Sequence, residues 1–218
     1  MVSSIYKKTF SVLMKRPFRL WGISLLAEFL CLVAYAGFIG VPAAAFCAAL
    51  LLSASMSMIF LNSYRTGLEP KTTYLFASFK KDRILRVLGG MAWMQLWIFL
   101  WSLIPIVGIV FGIIRMYEYR FVPYILMTRD DVKPTDAIKI SKQETMGYKG
   151  KMFGADILAV LAVLGIYLVL ALLCMIPFIG KLFALIYLLF HLCVLAFLPL
   201  FLGLVQSAFY EEITAFWR

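Results

Sequence analysis

Apolar segments long enough to cross a lipid bilayer recur along this sequence and limit the folds open to it. Six can be distinguished, over approximately residues 18–38, 41–64, 87–103, 105–127, 152–175 and 177–210. A transmembrane helix needs about 20 mostly apolar residues, whereas a transmembrane strand alternates apolar and polar side chains. These segments are solidly apolar. The sequence therefore predicts an all-α, polytopic membrane protein, a single domain of residues 1–218 with six transmembrane helices arranged as three hairpins.

The composition favours the same class. Hydrophobic residues make up 64% of the 218 residues, and the mean hydropathy is +0.95, whereas a soluble domain is about 45–50% apolar. Lipid must therefore cover much of the surface. The net charge of +10 does not indicate nucleic-acid binding, because the Lys and Arg residues are concentrated between the apolar segments, where the positive-inside rule places them.

The distribution of basic residues also predicts the orientation. Nearly all of them precede the first span or lie between spans two and three and between spans four and five. The other connections carry only Lys181. Since the basic side faces the cytoplasm, both termini are expected there. The first apolar run is too long for a cleavable signal peptide, so we expect it to remain as a helix.

An amphipathic N-terminal segment is predicted over residues 1–16. Tyr6, Phe10 and Leu13 fall on one side of a helix, and Lys and Arg residues add positive charge. This pattern is typical of a helix that lies in the cytoplasmic membrane interface.

Two cytoplasmic loops are also expected to contain amphipathic helices. Pro70 and Pro134 suit first helical positions, and a Lys-containing segment follows each. In the second loop, the spacing of Ala137, Ile140 and Ser141 predicts that they face inward. We expect Ser141 to bond to the end of a span.

Small residues mark candidate surfaces for helix packing. They recur every four residues in span two and form a GxxxG pair in span four: Ala45, Ala49, Ser53, Ser57, Gly108 and Gly112. Small side chains allow another helix to approach closely.

An internal repeat is visible in the turns. A Pro-Gly corner precedes each even-numbered span, at residues 40–42, 104–108 and 176–180. After spans two and four, an arginine is followed five residues later by a proline. Internal repeats are frequent in transporters.

Several motifs resemble a known family. The residues concerned are Ile104, Pro105, Gly108, Tyr119, 123–126, 137–141, 146–149, Phe153, Asp156 and 206–210. On these motifs the chain resembles a bacterial six-span family of unknown function, domain-of-unknown-function family 975. That family is similar to the membrane domain of glycerophosphoryl diester phosphodiesterase. The family often has Ser or Thr before the loop proline, where this chain has Lys133. The resemblance implies a fold and topology in the bacterial cytoplasmic membrane, without an activity.

Motifs for catalysis or metal binding are scarce. The single histidine excludes an HExxH zinc site, and the chain has neither a Walker loop nor GxSxG. The cysteines lie within apolar spans without a CxxC pair, which favours neither disulfides nor metal ligation: Cys31, Cys47, Cys174 and Cys193. We therefore expect no enzymatic activity, no cofactor and no metal.

Ionisable residues inside the spans are the candidates for a functional site. They are Glu28, Arg115, Glu118, Arg120 and His191. A charge within a span costs about 2.5–3.5 kcal/mol on insertion scales and marks a functional site by default. At 1.5 Å per residue, Glu28, Arg115 and His191 come to lie near the bilayer midplane. We predict that Glu28 pairs with Arg115 and that His191 shares the site.

Two functions remain open at this point. The polar site could transport or hold a lipid, a peptide or a small ion. Alternatively, the charges are purely structural, and the chain is a scaffold or accessory subunit that binds another membrane protein. The partners expected are membrane lipid and either a second copy of the chain or another membrane protein, without nucleic acid.

Overall fold

The computed structural model describes residues 1–15, 17–37, 42–67, 71–105, 107–177 and 180–215. These residues form helices and the turns between them. In chain order the helices are α1 Val2–Lys15, α2 Pro17–Gly37, α3 Pro42–Thr66, a 3-10 helix Thr72–Phe79, α4 Ile84–Ser102, α5 Val107–Glu118, α6 Val122–Thr128, α7 Pro134–Glu144, α8 Lys149–Cys174 and α9 Gly180–Thr214. Arg16, Pro70 and much of the three repeated corners (residues 38–41, 106 and 178–179) lie outside the described residues.

Within the described residues, five helices are long and apolar enough to cross a membrane, namely α2, α3, α4, α8 and α9. Their bounds lie close to those of predicted spans one, two, three, five and six. The last helix extends to Thr214, beyond the predicted end at residue 210, and contains Pro199 in its interior. The prediction of an all-helical protein with several membrane-spanning helices is confirmed at this level.

The predicted fourth span, residues 105–127, is not one continuous helix. Helix α5 ends at Glu118, a turn follows, and α6 begins at Val122. Pro123 lies in the first turn of α6, where its missing N–H leaves no helical hydrogen bond unmade. The sequence predicts a bend near Pro123, but the structure instead breaks the helix immediately before it.

Helix α6 forms the centre of the core. All its residues from Val122 to Met127 are buried, and it packs against α3, α4 and α7. Tyr124 stacks on Tyr210 of α9 with ring centroids 4.9 Å apart. A helix that is apolar on all sides must be buried on all sides, and this short segment is enclosed by α3, α4, α7 and α9.

Glycines permit two close contacts around α4. A Cβ added at Gly90 would lie 2.6 Å from Cδ1 of Leu126, so α4 approaches α6 closely at this point. A Cβ at Gly108 would lie 2.7 Å from the Trp101 carbonyl oxygen, and Gly112 faces the Cβ of Ser102 at 3.9 Å. The predicted packing surface of Gly108 and Gly112 therefore lies against the end of α4.

Helix α1 packs against the bundle through a different face from the one predicted. It buries Ile5, Thr9 and Leu13 and contacts α9. Phe10, which the pattern places on the apolar side, is 56% exposed. Tyr6 packs edge-on against a phenylalanine of α9, with ring centroids 5.2 Å apart. The amphipathic helix is confirmed, and its buried face is rotated toward α9.

Candidate functional site

A buried carboxylate joins α5 to the start of α8. Glu118 is 5% exposed and accepts a 2.6 Å hydrogen bond from Nζ of Lys149. Its other carboxylate oxygen pairs with Arg115, one turn earlier on α5. The Arg115 guanidinium also lies over the ring of Trp101, 4.6 Å from the centroid. Two cations thus compensate one buried carboxylate.

The predicted pair of Glu28 and Arg115 is not formed. Arg115 is bound to Glu118, and no ion pair reaches Glu28 from any residue that the structure describes. The sequence argument placed Glu28 and Arg115 at similar depths, but depth does not determine which helices are neighbours. Arg115 instead pairs with Glu118 three residues later on α5, a spacing at which two side chains of one helix are neighbours.

A second charged pair connects the α5–α6 turn to α8. Arg120 donates a 2.5 Å hydrogen bond to Oδ2 of Asp156, and the hydroxyl of Tyr117 donates to the same oxygen at 2.9 Å. The Arg120 guanidinium lies over the Tyr117 ring, 4.9 Å from its centroid. Oδ1 of Asp156 is buried and has no hydrogen-bond partner within the described chain.

This pair lines a cavity of about 460 Å³, here called the Asp156 cavity. Helices α3, α4, α5, α6, α8 and α9 all contribute to its walls. The lining residues are Ser53, Ser57, Met91, Met94, Gln95, Ile98, Met116, Tyr117, Tyr119, Arg120, Pro123, Asp156 and Gln206. Three methionines contribute to its apolar wall, and their flexible side chains fit irregular spaces.

A second cavity of about 460 Å³ lies between α2, α3 and α9 and is here called the Glu28 cavity. Glu28 supplies its only charged side chain among the described lining residues. Trp21, Phe60 and Tyr124 bring aromatic rings to its wall, and Cys31 lies one turn from Glu28. In the described structure, no hydrogen bond reaches the Glu28 carboxylate.

The two cavities share a polar wall of Ser53, Ser57 and Gln206. The Ser57 hydroxyl donates to the Ser53 carbonyl at 3.2 Å. Nε2 of Gln206 donates at 3.0 Å to the carbonyl of Arg120, a residue in the α5–α6 turn. The wall therefore connects the middle of α3 to the helix break.

The small-residue stripe of α3 is divided between packing and cavity lining. Ala45 is buried. Ala49 lines the Glu28 cavity, whereas Ser53 and Ser57 line both cavities. Three of the four positions predicted as a helix-packing surface therefore face open space.

His191 lies apart from these cavities. Its Nδ1 is 2.8 Å from the hydroxyl of Tyr167 on α8, and its side chain is exposed on the surface of the α8–α9 pair. The structure therefore does not bring His191, Glu28 and Arg115 together as predicted. His191 contacts Tyr167 and Arg115 pairs with Glu118, whereas Glu28 lines a cavity to which neither of them contributes.

Helix α7 stabilises the break between α5 and α6. The Ser141 hydroxyl donates to the Glu118 carbonyl at 2.7 Å and accepts from the Phe121 amide at 3.2 Å. Thr145 adds a 3.3 Å hydrogen bond to the same carbonyl. Ala137 and Ser141 are buried, and Ile140 is half-buried. The predicted inward face of α7 and the bond from Ser141 to a helix end are confirmed.

An ion pair fixes the same, C-terminal end of α7. Arg129 and Glu144 are joined at 2.5 Å, and Glu144 is 7% exposed. Burial by itself would lower the pKa of Arg129, but the Glu144 carboxylate raises it above its ordinary value. Arg129 therefore stays charged and holds α7 against the end of α6.

The sequence analysis did not select Asp156 or Gln206 as site residues. Both are isolated polar residues in apolar helices, which is a usable signal. Span five is predicted to start at residue 152, which puts Asp156 near a helix end, but α8 begins at Lys149 and Asp156 lies seven residues into it.

Comparison of the chain with protein-family models, curated proteins and solved structures gives no match. The family resemblance stays a prediction, and the argument for function rests on the cavities and their polar groups.

Proposed function

We propose that this chain is a non-enzymatic integral membrane protein that transports or handles a lipid, a peptide or a small ion. The polar wall of Ser53, Ser57 and Gln206 would form the centre of its site. The observation that supports this proposal is the pair of cavities on the two sides of that wall, one next to Glu28 and the other next to Asp156.

Energetics support a role for this open, polar region. Polar groups without hydrogen-bond partners are costly in an apolar surrounding. Protein interiors are normally packed to the density of organic crystals, so unfilled space between helices is unusual. The Glu28 carboxylate, which has no hydrogen-bond partner among the described residues, lies beside unfilled space in the middle of a long apolar helix. This placement favours contact with water or a ligand.

The broken helix supports the same proposal. Transporters commonly place their binding sites where a membrane helix is interrupted, because the unwound backbone supplies free polar groups. Here Tyr119 and Arg120, both in the α5–α6 turn, line the Asp156 cavity. The Arg120 carbonyl is bound by Gln206 of the polar wall, which connects the break directly to the proposed site.

The proposed topology has six crossings, with α5 and α6 together forming the fourth. The chain would form three repeated hairpins in the bacterial cytoplasmic membrane, with both termini and the interfacial helices in the cytoplasm. A membrane-impermeant thiol reagent applied from outside should label Ser102→Cys and Lys181→Cys. Labelling of Lys142→Cys from outside would contradict this arrangement.

A scaffold that binds a second copy or another membrane protein is the alternative. It is favoured by the mutual pairing of Arg115 with Glu118 and of Arg120 with Asp156, which is what structural charges require. The scaffold function gives no role to the two cavities or to Glu28, which forms no ion pair with any described residue.

Cysteine accessibility separates these functions. In a background without the native cysteines, Ser53→Cys and Ser57→Cys should react with a small, charged methanethiosulfonate reagent in membrane vesicles. Ser55→Cys is the matched control on the same helix, because Ser55 is 0% exposed and packs on Ser78.

A second control tests lipid exposure. Leu161 is 58% exposed on an apolar surface of α8, and a thiol facing hydrocarbon does not ionise to react with a charged reagent. Leu161→Cys should therefore remain unlabelled. Protection of Ser53→Cys and Ser57→Cys equal to that of both controls would mean a dry wall, and the proposal of transport or ligand handling would be wrong.

A further inference from the structure

We infer that the Glu28 cavity binds a hydrophobic organic cation, with the Glu28 carboxylate as its counter-ion. This inference rests on the proposed function, because the polar wall that closes the cavity is the one proposed as the centre of the site. It adds the charge and the chemical class of the ligand.

The charges around the cavity favour a ligand with a positive charge. Glu28 is the only charged side chain among the residues described around this cavity. Two arginines of the predicted fourth span are engaged elsewhere, Arg115 with Glu118 and Arg120 with Asp156. A carboxylate left without a cation inside a bilayer is strongly unfavourable, so a cationic ligand would supply what the protein does not.

The backbone of α9 adds a second acceptor to the same wall. Proline has no N–H, so Pro199 cannot donate the helical hydrogen bond that the carbonyl of Leu195 would otherwise accept. Leu195 and Pro199 both line the Glu28 cavity. A carbonyl without its helical donor presents negative charge to a ligand, which again favours a cation over an anion.

The rest of the lining favours an organic cation over a metal ion. Calcium takes six to eight oxygen ligands and magnesium needs a near-octahedral set. Within the described residues, no group of three or more His, Cys, Asp or Glu side chains is placed to hold a metal ion. The cavity instead combines its one carboxylate with apolar walls, and the aromatic rings of Trp21, Phe60 and Tyr124 can bind a diffuse positive charge through their π faces.

The size and position of the cavity fit such a ligand. Its volume of about 460 Å³ lies within the ~300–1,000 Å³ typical of sites for small organic molecules. Leu25 of α2 and Leu195 of α9 line the cavity and are 47% and 61% exposed. The cavity therefore opens between α2 and α9 toward the lipid, where a hydrophobic cation accumulates.

Binding of tetraphenylphosphonium to the purified full-length protein in detergent tests the inference. The wild-type protein should bind this cation, and Glu28→Gln should weaken binding at least tenfold. Tetraphenylborate, which has the same shape and the opposite charge, should not compete. Glu212→Gln is the matched control, because Glu212 is not among the residues that line the cavity. Its carboxylate accepts a hydrogen bond from the Tyr64 hydroxyl, and the amide oxygen of glutamine can accept the same bond.

A second measurement leaves Glu28 in place. Cys31 lines the cavity, so tetraphenylphosphonium should slow the reaction of Cys31 with a neutral maleimide in a protein that retains this cysteine alone. Equal binding by wild type and Glu28→Gln, equal binding of the borate, or unprotected Cys31 would each overturn the inference. If Ser57→Cys is nevertheless labelled in vesicles, the proposed function stands without this ligand class.

Discussion

The hydroxyl of Ser141 donates a 2.7 Å hydrogen bond to the backbone carbonyl of Glu118, the last residue of α5. A helix that ends inside a protein leaves carbonyl and amide groups without partners, and such groups are costly when buried. Because Ser141 also accepts from the amide of Phe121, one buried side chain supplies a partner on each side of the break. The interruption of the predicted fourth span therefore depends on a residue of α7.

Substitution of Ser141 by Ala should destabilise the protein by about 1–3 kcal/mol, because it leaves a buried amide without its partner. The Glu118 carbonyl would keep only the 3.3 Å bond from Thr145. The measurement is the free energy of unfolding in mixed detergent micelles. Ser11→Ala is the matched control, since Ser11 is exposed and bonds only to the Lys8 carbonyl within α1. Equal losses in the two variants would contradict the role of Ser141.

Arg86 should be sensitive even to a conservative change. Its guanidinium donates to the carbonyls of Leu126 and Arg129, each at 2.8 Å, and to the carboxylate of Asp130 at 2.7 Å. A cation at the C-terminal end of a helix is also favoured by the helix dipole. Lysine cannot reproduce the planar fork of five donors, so Arg86→Lys should cost about 2 kcal/mol in unfolding free energy.

The neighbouring Arg83 provides the control for that prediction. Arg83 binds Asp130 at 2.5 Å and Asp82 at 3.8 Å, and both acidic side chains are largely exposed to solvent. Exposed pairs contribute about 0–1 kcal/mol. Arg83→Lys should therefore have little effect. A loss as large as that of Arg86→Lys would mean that replacing arginine with lysine is costly even at an exposed ion pair, and the role of Arg86 as a helix cap would not be supported.

The long helices could be predicted from the sequence because hydropathy is a local property. The break at residues 119–121 could not, since Tyr119, Arg120 and Phe121 include neither glycine nor proline. Its stability comes from Ser141, some 20 residues later along the chain. Pro123 was the one local signal, and it indicates a boundary only to within a few residues. The buried centre of the bundle therefore required the structure.

The charged residues show a related limit. Their positions along the spans predicted which residues would need partners, and the pair of Arg115 with Glu118 has the local i, i+3 spacing. The partners of Arg120 and Glu118 on α8, Asp156 and Lys149, depend on which helices are adjacent. Cavities are harder still to predict, because their shape depends on the side chains that leave space unfilled.

Gly90 should tolerate alanine poorly. The added Cβ would lie 2.6 Å from Cδ1 of Leu126, and Leu126 is fully buried in the core, so it has little room to move. Overpacking of a core typically costs about 1–3 kcal/mol. Gly165→Ala is the matched control, because nothing lies within 4 Å of the Cβ position there and alanine favours a helix by up to about 1 kcal/mol. Thermal unfolding of both variants in detergent measures the difference.

Two double-mutant cycles distinguish the charge pairs of the structure from the pair predicted from the sequence. Glu118→Gln alone leaves Arg115 and Lys149 as neighbouring cations without their carboxylate. Removal of one partner from a buried pair costs more than removal of both. The double variant Glu118→Gln/Lys149→Met should therefore recover part of the loss, with a coupling of about 1 kcal/mol or more in unfolding free energy.

The second cycle combines Glu28→Gln with Arg115→Ala. The structure gives these residues no common partner, because Arg115 is held by Glu118 and Glu28 faces a cavity bordered by α2, α3 and α9. Substitutions at residues without shared partners add to within about 0.5 kcal/mol, so the two single losses should sum to the double loss. A coupling between Glu28 and Arg115 as large as that between Glu118 and Lys149 would restore the midplane pair and place Arg115 in the Glu28 cavity. The cavity would then contain a cation of its own, and a cationic ligand would lose its electrostatic basis.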